Sequence, residues 1–173
     1  MRKRNSTIAA ALLATALLGA TLAGRAQQGG SSLDVAKWKT YHDEQNSFDL
    51  KYPPDWHVSW SSGPGQKLIA INSPEQHKVP FTVAVQMNQN PKKLSIEDWF
   101  ADQLKRMNTK PESQGETKVG NQPAVFMENT NSFGKRRSVF TSLHGKDVLT
   151  VIYEPDTKFE PVYKAILDSF RAR

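Results

Sequence analysis

"FDLKYPPDW", residues Phe48 to Trp56, carries the first firm statement about the fold. Phe48, Leu50 and Tyr52 alternate with Asp49 and Lys51, the period of two that turns one face of a strand toward a core. Pro53 and Pro54 end that strand, because neither can donate to a ladder and each biases its predecessor away from helix. Trp56 then opens the next segment. Aromatic residues crowd this corner, and Trp38, Tyr41, Tyr52, Trp56 and Trp60 are the candidate binding residues of the chain. Such rings can line a groove for a hydrophobic or peptide ligand. More often they are core and corner residues whose indole or phenol reaches one partner at the rim.

Working outward, Trp38 to Tyr41 reads as a short strand before the turn "DEQNS", and His57 to Ser61 as another before the turn "SGPGQ". "KLIAINS" (67–73) and "FTVAVQM" (81–87) are rich in branched residues and predict strands on either side of the proline-bounded "PEQHKVP". The period then changes. Ile96, Trp99, Phe100, Gln103, Leu104 and Met107 fall at helical spacing, Ser95 is an N-cap with Asp98 three residues on, and Leu94 is placed to staple onto Trp99. Glu97 and Asp98 at its start, with Lys105 and Arg106 near its end, agree with the helix dipole.

Strands resume with "GETKV" and "QPAVFMEN" around a Gly120-Asn121 turn, then "RRSVFTSL" and "DVLTVIYE" around "HGK". The closing stripe of Phe159, Val162, Tyr163, Ile166, Leu167 and Phe170 predicts a second helix. Thr157 and Glu160 match a capping box, but that start would put Pro161 at the fourth helical position; a start that places Pro161 in the first turn loses no hydrogen bond. Tight connections force antiparallel pairing, so the expected class is α+β, an antiparallel sheet with helices packed on it.

The N-terminus reads as an export signal occupying residues 1–26. Arg2, Lys3 and Arg4 precede an uncharged, alanine-rich run from Ile8 to Gly24, and Gly24-Arg25-Ala26 predicts cleavage before Gln27. A retained anchor is the alternative, but the run is short for a bilayer span. "QQGGSSLDVA", residues 27–36, then reads as a flexible linker into a domain over 37–173. The full chain has a net charge of +6, yet four of its 23 basic residues lie in the signal, leaving 19 against 17 acidic ones. A mature charge of only +2 speaks against a nucleic-acid surface. With no cysteine in the chain, disulfides, thiolate metal sites and cysteine nucleophiles are excluded, and 147 residues must hold one core by packing alone.

"WKTYHDEQNSFDLKYPPDW" resembles the opening of PsbP-like domains: Trp-x-x-Tyr, a Gly/Ser-Phe pair, then an extended Tyr-Pro-x-x-Trp. "LSIEDWFADQL", "VGNQPAVFME" and "ILDSFR" are similar to later pieces of that family in the same order, covering about residues 37 to 171. The resemblance implies an α/β/α sandwich around an antiparallel sheet, a fold shared with Mog-type Ran-binding proteins and with small exported bacterial proteins. Plant photosystem II members dock through an N-terminal extension; residues 27–36 lack a charged docking pattern, and no family metal site is carried over. A photosystem role is implied only for a photosynthetic source, and fold does not fix function.

Motifs with chemistry are sparse. His42-Asp43-Glu44 offers three metal-capable side chains, but adjacent residues rarely converge on one ion and a solvated turn is expected. His57, His77 and His144 stand apart. "SGPGQK" lacks phosphate-loop spacing and leads into a strand. Lys135-Arg136-Arg137 can bind an anion or an acidic partner, or guard an edge strand with charge; the second is expected. No Gly-x-Ser-x-Gly, Ser-x-x-Lys or His-Glu-x-x-His occurs. The expectation is thus a non-catalytic, exported, monomeric domain without cofactor, metal or nucleic acid, binding an envelope protein or a small ligand as an accessory or assembly factor. The alternatives are a periplasmic hydrolase whose site assembles across strands, and a GTPase partner by analogy with the Mog-type fold.

Overall fold

Alternating burial along Phe48–Tyr52 is what the structure, a computed structural model, shows at that strand: Phe48 and Leu50 are fully buried, while Asp49 and Lys51 are half-buried. The described residues are 33–63, 66–75, 83–155 and 157–173. The stretches expected as export signal and linker up to residue 32, two residues of the expected "SGPGQ" turn, and His77 lie outside them.

Among the described residues, after a 3-10 turn at Val35–Lys37, ten strands and two α-helices follow in the order β1 (Lys39–Asp43), β2 (Phe48–Tyr52), β3 (His57–Gly63), β4 (Gln66–Asn72), β5 (Val83–Gln89), α1 (Ile96–Met107), β6 (Ser113–Val119), β7 (Gln122–Asn131), β8 (Gly134–Leu143), β9 (Asp147–Tyr153), α2 (Glu160–Ser169) and β10 (Arg171–Ala172). The class is α+β and mostly antiparallel strand, as expected. The strands do not form one sheet, however. Seven pair in the order β3-β4-β5-β9-β8-β7-β6, and a separate three-stranded sheet has the order β1-β2-β10. The Pro53-Pro54 corner explains the split, since it removes two ladder donors between β2 and β3. The strand β10 was not legible in sequence: two residues suffice because Arg173 N also donates to Ser47 O at 2.8 Å.

One strand feeds two cores because its side chains alternate. Val125, Phe140 and Val148 pack with Ile96, Trp99 and Phe100 of α1, whereas their neighbours Ala124, Val139 and Leu149 pack with Tyr163, Ile166, Leu167 and Phe170 of α2. Phe48, Leu50 and Trp56 join the α2 core, so β2 closes over the helix. Lys51 N donates to Ser169 Oγ at 2.8 Å, and that hydroxyl donates to Ile166 O at 2.7 Å.

The helix ends follow the sequence reading. Ser95 Oγ accepts from Asp98 N at 3.1 Å, and Asn108 closes α1 in the left-handed region at φ 49°. Asn90 prepares that start: buried in the loop, it donates to Leu94 O and accepts from Leu94 N. The helix α2 begins at Glu160 with Pro161 in its first turn, and Thr157 Oγ1 accepts from Phe159 N rather than completing a capping box. The Gly120 turn docks on the end of α2, with Gly120 N donating to Leu167 O at 2.8 Å. Its φ is +58°, and an added Cβ would stand 2.4 Å from Phe170 O, so glycine is required twice over.

Candidate functional site

The helix α1 covers one end of its face of the seven-stranded sheet. Past it, Met127, Ser138 and Ile152 stand side by side on neighbouring β7, β8 and β9. With Asn129, Asn131, Phe133 and Arg136 they line a groove of about 380 Å³. Its floor is apolar, its flank is amide, and its wall is Phe133 on the β7–β8 turn, 57% exposed. An Asx turn fixes that wall, Phe133 N donating to Asn131 Oδ1 at 2.8 Å.

Arg136 brings a cation to the groove that is already engaged. Its guanidinium donates to Lys135 O and Phe133 O, both at 2.9 Å, and Nη1 lies 3.5 Å from Glu154 Oε2. Tied to two carbonyls and a carboxylate, it organises the turn and leaves the groove without a free charge. The groove therefore suits an uncharged group with an apolar body and an amide or hydroxyl to place.

Alternate residues send the rest of the basic run to the opposite face. Arg137 donates to Glu128 Oε1 at 2.7 Å and to Glu160 Oε1 at 3.1 Å, and its guanidinium lies over the rings of Phe126 and Tyr153. Lys135 Nζ lies 2.9 Å from Glu128 Oε2. Burial alone would push the Glu128 carboxyl up, but the hydrogen bonds from Lys135 and Arg137 outweigh it and hold the group below the usual carboxylate range. Burial pushes the Tyr153 phenol up, against the bond from Arg137. The expectation of a charge-guarded edge strand is thus overturned. The strand β8 lies inside the sheet between β7 and β9, and its cations are paired within the domain.

The solvated turn expected at His42-Asp43-Glu44 also needs correction. His42 and Glu44 are exposed, but Asp43 is buried and accepts from Asn46 N at 2.9 Å and Asn46 Nδ2 at 3.2 Å. It is the structural acid of the β1–β2 turn. His42 Nδ1 lies 2.8 Å from Asp49 Oδ1, which Arg173 also approaches at 3.0 Å. His144 Nε2 faces Ser47 O at 3.3 Å, and His57 is exposed on β3. Among the described residues no three His, Asp or Glu side chains converge as a metal site.

Of the aromatic candidates, Trp38 and Trp56 lie in the α2 core, with half-buried Tyr41 and Tyr52 packed against it. Trp56 meets Phe159 edge-on at 5.6 Å and Tyr163 at 6.5 Å. Trp60 stands apart on β3, 69% exposed. None of the five lines the groove. Asn129, Asn131 and Phe133 were not singled out in sequence, although "NTNSFG" between two strands marks a turn that presents an aromatic ring.

Comparison with known proteins bears on the fold. The solution structure of cyanobacterial PsbP (CyanoP) from Synechocystis sp. PCC 6803 superposes with a TM-score of 0.55 at 14% identity, over 84% of this chain and 96% of that one. The fold is PsbP-like. A Bacteroides thetaiotaomicron structure matches at TM-score 0.49 and 16% identity over 78% of this chain, which spans only 48% of that protein's length. A protein of unknown function from Pseudomonas aeruginosa matches at TM-score 0.43 and 16% identity, over 79% of this chain and 97% of that one. No protein-family model and no curated protein matches the sequence. Among the described residues no helix is long and apolar enough to cross a membrane.

Proposed function

We propose that this chain is a non-catalytic, exported binding domain, an accessory or assembly factor whose PsbP-like scaffold offers the β7–β8 groove to a partner side chain or a small ligand. The helices form an α/β/α sandwich in this reading, supported by the alternate packing of β7, β8 and β9 residues on α1 and α2. The observation that carries the function is the groove itself: a preformed concavity of about 380 Å³ beside an exposed phenylalanine held by its own turn. Pockets of this size with an apolar floor and a few placed polar groups are where small ligands and side-chain anchors bind.

Export rests on the basic start, the uncharged run and the small residues at 24–26. The mass of the protein recovered outside the cytoplasm should correspond to a chain beginning at Gln27; recovery of an intact Met1 chain would replace the signal reading with an anchor.

The groove is tested by comparing what the wild-type protein and Phe133→Ala retain when purified from the native envelope, alongside NMR titration with amide-bearing fragments. Phe133 is exposed, so its loss should leave stability within about 0.5 kcal/mol. Retained material should fall about tenfold or more, and fragment-induced shifts should centre on Met127, Asn129, Phe133 and Ser138. Undiminished retention by the variant, with shifts elsewhere, would remove the groove from the function.

A further inference from the structure

The two edges of the seven-stranded sheet differ in a way that the binding groove does not explain. At one edge, β6 carries exposed Glu116 and Lys118, and the Gly120 turn at its end is docked on α2. Charges and a covering element are the ordinary protection of an edge strand. At the other edge, β3 runs for seven residues, "HVSWSSG", with no Asp, Glu, Lys, Arg or Pro. It pairs with β4 alone, and among the described residues no strand pairs with its outer side. At its centre stands Trp60, 69% exposed, in register with fully buried Ile69.

We propose that β3 is the interface for a second copy of this chain, paired antiparallel edge to edge with Trp60 on the two-fold axis. Trp60 is the middle residue of the seven, so it faces Trp60 of the second copy. Ser59 falls opposite Ser61, Val58 opposite Ser62, and His57 opposite Gly63 of the second copy. Isologous pairing of this kind needs a self-complementary patch. The patch qualifies, since the register sets the exposed ring of Trp60 against its own copy and no like charges oppose one another. A partner recognised by charge would find no charge along β3, which favours a second copy over a charged peptide.

The interface is small. A tryptophan presents roughly 250 Å² in all, so the two exposed indoles supply roughly 350 Å², well short of the ~1,200 Å² of a stable complex. The strand backbones add the remainder of the contact. The dimer is accordingly weak and reversible, and the chain is a monomer when dilute.

Sedimentation equilibrium and tryptophan fluorescence, from about 1 μM to about 1 mM, test this on the protein purified with its own N-terminus as its host processes it. Trp38, Trp56 and Trp99 are buried, so the solvent-exposed part of the emission belongs to Trp60. The mass should rise to a dimer as concentration increases, with emission shifting to the blue in parallel. Trp60→Lys and Trp60→Glu should each remain monomeric at the top concentration with an unchanged melting temperature. An equimolar mixture of the two should associate more than either variant alone, because Lys then faces Glu across the axis, but less than the wild type, which has the indoles. A wild-type protein monomeric throughout, a dimer that persists in both single variants, or a mixture that associates no more than either variant alone would each overturn the proposal. Since Phe133 lies elsewhere on the sheet, Phe133→Ala should dimerise like the wild type, which keeps this test separate from that of the groove.

Discussion

The two faces of the seven-stranded sheet are built to different standards of closure. The α2 face is sealed: Trp56, Phe159 and Tyr163 interlock their rings, β2 lies against the helix with β10 paired beside it, and Gly120 fastens the β6–β7 turn to its end. The α1 face is sealed only over Val125, Phe140 and Val148, and past them it opens into the Phe133 groove. Packing is concentrated on one face and the other is left more accessible; well-packed regions open last.

The sharpest way to break this comparison is Trp56→Ala. Deleting a buried indole costs about 3–5 kcal/mol, so urea denaturation should show a large loss of stability, while the affinity of the groove for its fragments is unchanged in whatever fraction stays folded. Equal stability of variant and wild type would mean that the α2 face is not the keystone.

Glu128→Gln comes next. Glu128 is buried but its partners Lys135 and Arg137 are partly exposed, so losing these charge-assisted hydrogen bonds should cost about 1–3 kcal/mol. The pH dependence has a definite sign. The folded carboxyl is held below its unfolded value, so its contribution is present above the ordinary carboxylate range and is lost as pH falls through the folded value. Thermal melts at pH 7 should therefore separate wild type from variant, and the gap should narrow on acidification. A gap that widens in acid would contradict the pairing with Lys135 and Arg137.

The smallest of the three effects is expected on the open face. Ser95→Ala removes the cap of α1 and should cost about 1 kcal/mol. Hydrogen exchange should quicken first at Ile96–Phe100, leaving β2 and α2 protected. Uniform acceleration across the domain would show that the two faces open together.

Local patterns were legible wherever one residue type dictates one geometry. The strand Phe48–Tyr52, the helix Ile96–Met107 with its Ser95 cap, and the Gly120 turn can be read directly, because alternation, helical spacing and φ preference act over a few residues. The site was less legible. Arg136 and Arg137 are adjacent in sequence, yet the pleat sends one to the groove and the other to Glu128 on the opposite face. Asp43 looked like part of a solvated turn because nothing in "HDE" announces that the turn folds inward over its carboxylate.

The sequence by itself determined the periodicity of each segment, its caps and corners, the α+β class, and the near-neutral charge of the part after residue 26. Tertiary structure alone decided the partition into two sheets, the interior position of β8, the burial of Trp38 and Trp56 and the exposure of Trp60 and Phe133. The reason is one of range. Backbone preference and alternation are set by neighbours in the chain, whereas the order of strands, and hence which face or edge remains uncovered, is set by contacts between segments far apart in it.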